Sequence, residues 1–458
     1  MRVLILGAGH TGDAVAQALV GESNDITVVD IEQSRVLQLQ RHFDLRGIVG
    51  DAASPAVLRE AGIEDADIVI AVTASDETNL VACLLASELF NVPTRIARVR
   101  RNELSNYPDL LGDAGFHITS TIWPEKALTD ALLRLIEFPQ ALQVIDLAQG
   151  TLYLMTIDVG QESPCIGQTG EQLRPVLDEH KAAFVAAFHE NKVLAPDATL
   201  AAGDGVLVLV NHEAADSLIS YIHPKENRNK NLVIAGDADM ALRIVAGLKN
   251  RNAYNIKILE QDEQKARDIA EQLPEQILLV KGSYLQQEDL TNVDIDTCDL
   301  FISLSKHDDG NIMSALLAKR LGAKRSIALV DNQTFADLVR DTSIDIIISK
   351  TRVTLSELMQ YVRRGDVVAV HGVHDAASEV LEIIAHGTPG SSRVIGQPIS
   401  SITLPKGSSV CALVRGTDFL AASPDLVIEP EDRVIVFSAD KHLMSKIEAL
   451  FAVDVGFF

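Results

Sequence analysis

The chain repeats itself. "LVIAGDA" from Leu232 restates "VLILGAG" from Val3, and Gly236 lies 229 positions after Gly7. "HDDGNIMSALLAKRLG" from His307 shares an Asn and an apolar helical pattern with "SDETNLVACLLASELF" from Ser75, and Asn311 lies 232 positions after Asn79. "VIGQ" at Val394 answers "CIGQ" at Cys165 with an offset of 229, and "EDRVIVFS" at Glu431 answers "GDGVLVLV" at Gly203 with an offset of 228. Landmarks that keep so constant a spacing establish a tandem duplication, so the two halves must share one fold.

Within the first half, short apolar runs alternate with helical periodicity. Strands are expected at 3–6, 26–29, 46–49, 67–72, 95–99 and 116–119, with helices at 13–20, 32–42, 54–61, 76–90, 102–111 and 124–137. That alternation calls for a doubly wound parallel sheet. After about residue 143 the texture becomes β-rich, broken by Gly, Pro and Asp turns. The predicted class is α/β: two tandem Rossmann domains, each followed by a small α+β C-lobe. The expected boundaries are 1–140, 141–224, 230–362 and 363–458, with the polar stretch His223–Asn231 as linker. Apolar residues make up 47% of the chain and aromatics 4%, so the cores must be Val, Ile, Leu and Ala, which suits buried parallel strands.

Charge narrows the partners. The net charge of -24 disfavours nucleic acid and anionic lipid surfaces. Cys83, Cys165, Cys298 and Cys411 lie far apart and form no CxxC pair, which fits a reducing compartment. No apolar run reaches the roughly 18–20 residues of a membrane span, so direct membrane insertion is not expected.

Gly7-Ala8-Gly9-His10-Thr11-Gly12 fits GxGxxG between a strand and a helix, the context in which that pattern binds a pyrophosphate. Gly7 permits the tight turn, Gly9 the approach of phosphate, and Gly12 close helix–strand packing. Asp30 ends the second strand, 18 residues beyond Gly12. A carboxylate there suits a ribose diol and repels a 2′-phosphate. The expected ligands are NAD(H) or ATP/ADP rather than NADP(H).

Later strand ends add candidates. Asp51 and Ala52 follow Gly50, and Thr73 follows the fourth strand with Asp76, Glu77 and Asn79 beyond it. Ser75 or Asp76 could instead cap the next helix. Arg98 and Arg100 share one face of "RIARVR" and could take phosphate oxygens, or form a solvated basic edge. In the second half Ala238 and Ala241 replace Gly9 and Gly12, Ser283 replaces Asp51, and Leu329 and Asp331 replace Arg98 and Arg100. Only Glu260 survives, as the acid of the second strand. That half is expected to be structural or a weak binder.

Catalytic machinery is not readable. His189 and His212 lie at turns, and His371 and His374 have no further ligand nearby in sequence. Glu125 opens a helix and reads most simply as a first-turn acid. An NAD-dependent oxidoreductase remains the alternative function, and a nucleotide-binding scaffold unrelated to transport is a third.

The segments "GAGHTG", "NDITVVD", "LREAG", "AVTASDETN", "RIARVR", "EFPQALQV", "NIMSALLAKRLGAK" and "SRVIG", with their order and length, resemble the tandem RCK/KTN (regulator of potassium conductance) family over the whole chain. The resemblance implies a non-enzymatic, nucleotide-sensing regulator of potassium uptake at the cytoplasmic face of the inner membrane. It implies a homotetrameric ring of eight Rossmann units docked on a membrane-embedded potassium-uptake subunit. It also implies a cation site that uses the acid just after a Pro, a position matched by Glu125 after Pro124. The second motif, "GDADMA", departs from the family's glycines.

Overall fold

The computed structural model describes residues 1–20, 24–189, 192–224, 230–340, 342–362, 367–373 and 378–452. Part of the expected linker, 225–229, lies outside them, as does His374.

The first half opens with six parallel strands: β1 (Arg2–Leu6), β2 (Asp25–Asp30), β3 (Arg46–Val49), β4 (Ile68–Ala71), β5 (Thr94–Arg98) and β6 (Ser120–Ile122). Their order is β3-β2-β1-β4-β5-β6. Val3, Leu4, Ile5 and Leu6 of β1 and all four residues of β4 are buried, as a sheet covered on both faces requires. The order reverses between β1 and β4, which opens a crevice at their carboxyl ends. Two local expectations shift. The last strand begins at Ser120, and the helix expected at 102–111 splits into the 3-10 turn Asn102–Asn106 and the short helix Pro108–Leu111. Pro108 cannot donate an N–H into a continuing helix and disfavours helical geometry at Tyr107.

An antiparallel sheet follows: β7 (Ala141–Leu147), β8 (Leu152–Asp158), β9 (Ala182–His189), β10 (Lys192–Val193) and β11 (Gly205–Asn211), ordered β10-β9-β11-β8-β7. The second half repeats both sheets. Its parallel sheet comprises β12 (Asn231–Ala235), β13 (Asn255–Glu260), β14 (Leu278–Lys281), β15 (Leu300–Ser303), β16 (Arg325–Leu329) and β17 (Ile346–Ile348), ordered β14-β13-β12-β15-β16-β17. Its antiparallel sheet comprises β18 (Val367–Val373), β19 (Ser378–Ile384), β20 (Ser408–Arg415), β21 (Asp418–Ala421) and β22 (Arg433–Ser438), ordered β18-β19-β22-β20-β21. Read from the other edge, that is the order of the first antiparallel sheet.

By internal contacts the chain forms two compact units. One is Met1–Leu128 with Ser349–Val362, and the other is Thr129–Ile348 with Arg363–Phe458. The helix Lys350–Val362, which the sequence assigns to the second Rossmann domain, therefore packs within the first unit, against the helix His10–Val20 and β6. The exchange is reciprocal. In the second unit, Thr129 and Leu133 of the helix Pro124–Glu137 meet Met240 and Gly247 of the helix Ala238–Gly247. The two helices pack closely there: a Cβ on Gly247 would stand 2.4 Å from Leu133 Cδ1, so the leucine side chain would have to shift.

Within the second unit the two antiparallel sheets share one core. Leu152, Leu154, Phe188 and Leu207 of the first pack with Val380, Val414, Ile435 and Phe437 of the second. Polar ties cross the same junction: the Ala148 N–H donates to Glu382 at 3.0 Å, and Gln143 donates to the Gly372 carbonyl at 3.0 Å.

Candidate functional site

The glycine loop turns at the carboxyl end of β1. Gly7 has φ +111°, and a Cβ on it would stand 2.9 Å from the Thr73 main chain at the end of β4. A Cβ on Gly12 would fall 1.8 Å from the Gly7 carbonyl, so helix and turn can meet only without a side chain. Gly9 is different, since a Cβ there would have no protein atom nearer than Arg35 Nη1 at 3.8 Å. The fold does not demand glycine at that position, whereas a ligand that must touch the loop does. Ala8 is buried, His10 exposed and Thr11 half-buried at the start of the helix.

Asp30, at the end of β2, is 9% exposed and anchored to the loop. Its Oδ2 accepts the Ala8 N–H at 2.6 Å and its Oδ1 accepts the Glu32 N–H at 2.8 Å. Each oxygen keeps acceptor capacity for a diol. Asp51 is exposed and turns its own loop by accepting the Ala53 N–H at 2.9 Å, while Ala52 is buried.

Thr73 and Asn79 act together. Asn79 is fully buried; its Oδ1 accepts from the Thr73 N–H and hydroxyl at 2.9 and 2.7 Å, and its Nδ2 donates to the Arg98 carbonyl at 2.9 Å. It fastens the end of β4 to the end of β5. Asp76 completes that fastening, with its Oδ2 accepting the Arg100 and Arg101 N–H groups at 3.0 Å each. The helix Asp76–Glu88 is capped by Ser75 instead, which accepts the Thr78 N–H.

The fastened loop presents two arginines. Arg98 Nη1 donates to Thr11 Oγ1 at 3.4 Å, which places the guanidinium beside the helix start. The Nε atoms of both Arg98 and Arg100 are buried without a hydrogen-bond partner. An unpaired buried donor costs about 1–3 kcal/mol, so an acceptor brought to either Nε would be stabilising. Burial, then repulsion from Arg100, lowers the Arg98 pKa, while Glu125 and Asp76 oppose the shift. A phosphate here would satisfy donors and neutralise crowded charge, so the residues fit a bound nucleotide.

Glu125, the expected cation ligand, accepts from Lys350 Nζ at 2.6 Å. Burial opposes its ionisation, but the charge and hydrogen bond of Lys350, the main-chain N–H of the helix start and Arg98 together hold its carboxyl below the ordinary value. Among the described residues no group of three or more His, Cys, Asp and Glu could hold a metal. The cation that the structure brings to Glu125 is an ammonium. Sequence spacing missed Lys350 beside Glu125, and Arg35, whose Nη1 would stand 3.8 Å from a Cβ on Gly9. Burial lowers the His371 pKa to about 4.

The second Rossmann domain keeps the frame. Asn311 accepts the Ser305 N–H and donates to the Leu329 carbonyl, and Asp308 accepts the Asp331 and Asn332 N–H groups. Glu260 stands where Asp30 does, 4% exposed, accepting from the Ala238 and Asp262 N–H groups. The anion end differs, because the Asp237 carboxylate itself caps the helix Ala238–Gly247.

Comparison with known proteins decides the family. The TrkA-N domain model matches residues 3–120 and 232–350, and the TrkA-C domain model matches 388–452. The chain is 37% identical to the Trk system potassium uptake protein TrkA of Halomonas elongata, over 100% of both chains.

The chain belongs to the TrkA family.

TrkA proteins of Vibrio alginolyticus and Haemophilus influenzae are 37% and 36% identical to it, over 98% and 100% of both chains. The crystal structure of the GsuK RCK domain superposes with a TM-score of 0.62 at 16% identity, covering 98% of this chain and 94% of that one. The GsuK channel bound to NAD superposes with a TM-score of 0.62 at 16% identity, covering 98% of this chain and 78% of the other. The duplicated RCK architecture is thereby shown. Among the described residues, no helix is long and apolar enough to cross a membrane.

Proposed function

We propose that this chain is the nucleotide-sensing, non-enzymatic regulatory subunit of a potassium-uptake system. NAD(H) and ATP/ADP bind the first Rossmann domain at Gly7, Gly9, Thr11, Asp30, Arg98 and Arg100. Ala8, His10, Gly12, Asp51, Ala52, Thr73 and Asn79 shape that site. Occupancy changes the form of a homotetrameric ring at the cytoplasmic face of the inner membrane, and the ring gates a membrane-embedded potassium-uptake partner.

The observation that carries the reading is the pair of buried, unpartnered guanidinium N–H groups of Arg98 and Arg100 beside an open Gly9. The family supports the transport context, and the NAD-bound GsuK channel, which has the same fold, supports the ligand class. Calorimetric titration with NADH, ATP and ADP tests it directly. Binding of none of them, at protein concentrations that detect micromolar affinity, overturns it.

A further inference from the structure

Glu125 and Lys350 lie 225 positions apart and pair at 2.6 Å, with side chains 19% and 28% exposed. Lys350 is the first residue of the helix Lys350–Val362. That helix packs against the helix bearing the glycine loop, yet the chain leads from both of its ends into the second unit. Hydrogen bonds and charge relate the loop to this pair. Thr11 accepts from Arg98, Arg98 and Glu125 act on each other's charge, and Glu125 accepts from Lys350.

Position and chemistry then suggest a choice for the ammonium. A carboxylate offers one negative charge. A terminal phosphate offers up to two, with three acceptor oxygens, to a group that has three donors. The phosphates of a dinucleotide are both diesters carrying one charge each, and on the nucleotide reading above they belong to the loop N–H groups and Arg98. A nucleoside triphosphate on the same reading would extend further, and if it reached Glu125 that carboxylate would repel it unless a cation intervened.

We propose that Lys350 is a specificity-determining residue of the nucleotide site, and that it exchanges Glu125 for the terminal phosphate of a nucleoside triphosphate while staying on Glu125 when a dinucleotide is bound. The proposal rests on the nucleotide reading above. It brings a residue from the second half of the sequence to the ligand of the first, because Lys350 opens the helix that the second half contributes to the first unit. The differential affinity of Lys350 for the two partners is then available to bias the conformation.

The test is calorimetric titration of the full chain with ATP, ADP and NADH, free of divalent cations, for wild type, Lys350→Gln, Glu125→Gln, the double variant and Lys350→Arg. Lys350→Gln is expected to lower ATP affinity roughly tenfold, as loss of one charge-assisted bond implies, and to leave NADH within about twofold. Glu125→Gln is expected to raise ATP affinity, and the double variant, which lacks the ammonium, should bind ATP more weakly than Glu125→Gln alone. Lys350→Arg keeps the charge and should keep the ATP preference. Equal losses for all three nucleotides mean that Lys350 only holds its helix in place, and overturn the proposal, as does no change for any. If Lys350→Gln fails to fold, an unchanged ATP affinity in Glu125→Gln overturns it. Wild-type protein that binds neither ATP nor NADH defeats the nucleotide reading itself, and this proposal with it, before any substitution is made.

Discussion

The carboxylate of Asp237 accepts the main-chain N–H of Met240 at 3.1 Å, so the helix that opens the second Rossmann domain already carries an anion at its N-terminus. At the matching place in the first domain stands Ala8, and the N–H groups of the helix start remain available to a ligand. A phosphate entering the second domain would meet both that carboxylate and the methyl of Ala238 where Gly9 stands in the first.

Tight binding of about one nucleotide per chain is the first expected outcome, located in residues 1–140. Calorimetric stoichiometry checks it, and two equal, tight sites per chain would contradict it. Asp237→Ala should cost about 1 kcal/mol of stability through the lost cap and leave the stoichiometry at one.

Asp30→Ala should weaken NAD(H) by roughly 1–3 kcal/mol, the range for a charged hydrogen-bond partner. The wild type should bind NADP(H) poorly. Because Asp30 also accepts the Ala8 N–H, Asp30→Ala should lower the melting temperature too, and Asp30→Asn, which keeps an acceptor, should lower it less. A wild-type preference for NADP(H) would refute the assignment.

Arg98→Ala should impair ATP more than NAD(H). Taking a two-state population from 1:99 to 99:1 needs about 5.5 kcal/mol, which arginine–phosphate bonds of about 1.5–3 kcal/mol each can supply over several subunits. Reconstituted transport should lose its ATP dependence while the ring still assembles. Normal ATP dependence in Arg98→Ala and in the Arg98/Arg100 double variant would sink the idea.

A symmetric oligomer, expected to be a tetramer, should persist at micromolar concentration. Two similar lobes per chain let a closed ring hold twice as many Rossmann units as chains. Light scattering that gives a monomer mass would count against it.

The parallel sheets and the glycine turn were legible because they follow from local periodicity and spacing, and the duplication because matching segments recur at a nearly constant offset. The roles of Asp76 and Asn79 were half legible. Both types survive as Asp308 and Asn311 in a half that has lost the equivalents of Gly9, Arg98 and Arg100, and that survival marks them as fasteners of the frame. Asp30 and Glu260 share a similar fate, so part of the acid's role is to hold the turn. The pairing of Lys350 with Glu125 could not be read, because a repeat offset equates positions in the two halves but does not say which of them touch. The same limit hid the exchange of helices, since helical periodicity shows that a helix has an apolar face but not which sheet will cover it.

That exchange sets the order in which the protein can be completed during synthesis. The first unit needs Ser349–Val362 to cover the helix His10–Val20, and these residues leave the ribosome some 220 positions after Leu128. At ~5–20 residues per second the wait is about 10–40 s. Through that interval the nucleotide domain stands with one face uncovered and without Lys350. A chain cut at residue 140 would lack both the covering helix and Lys350.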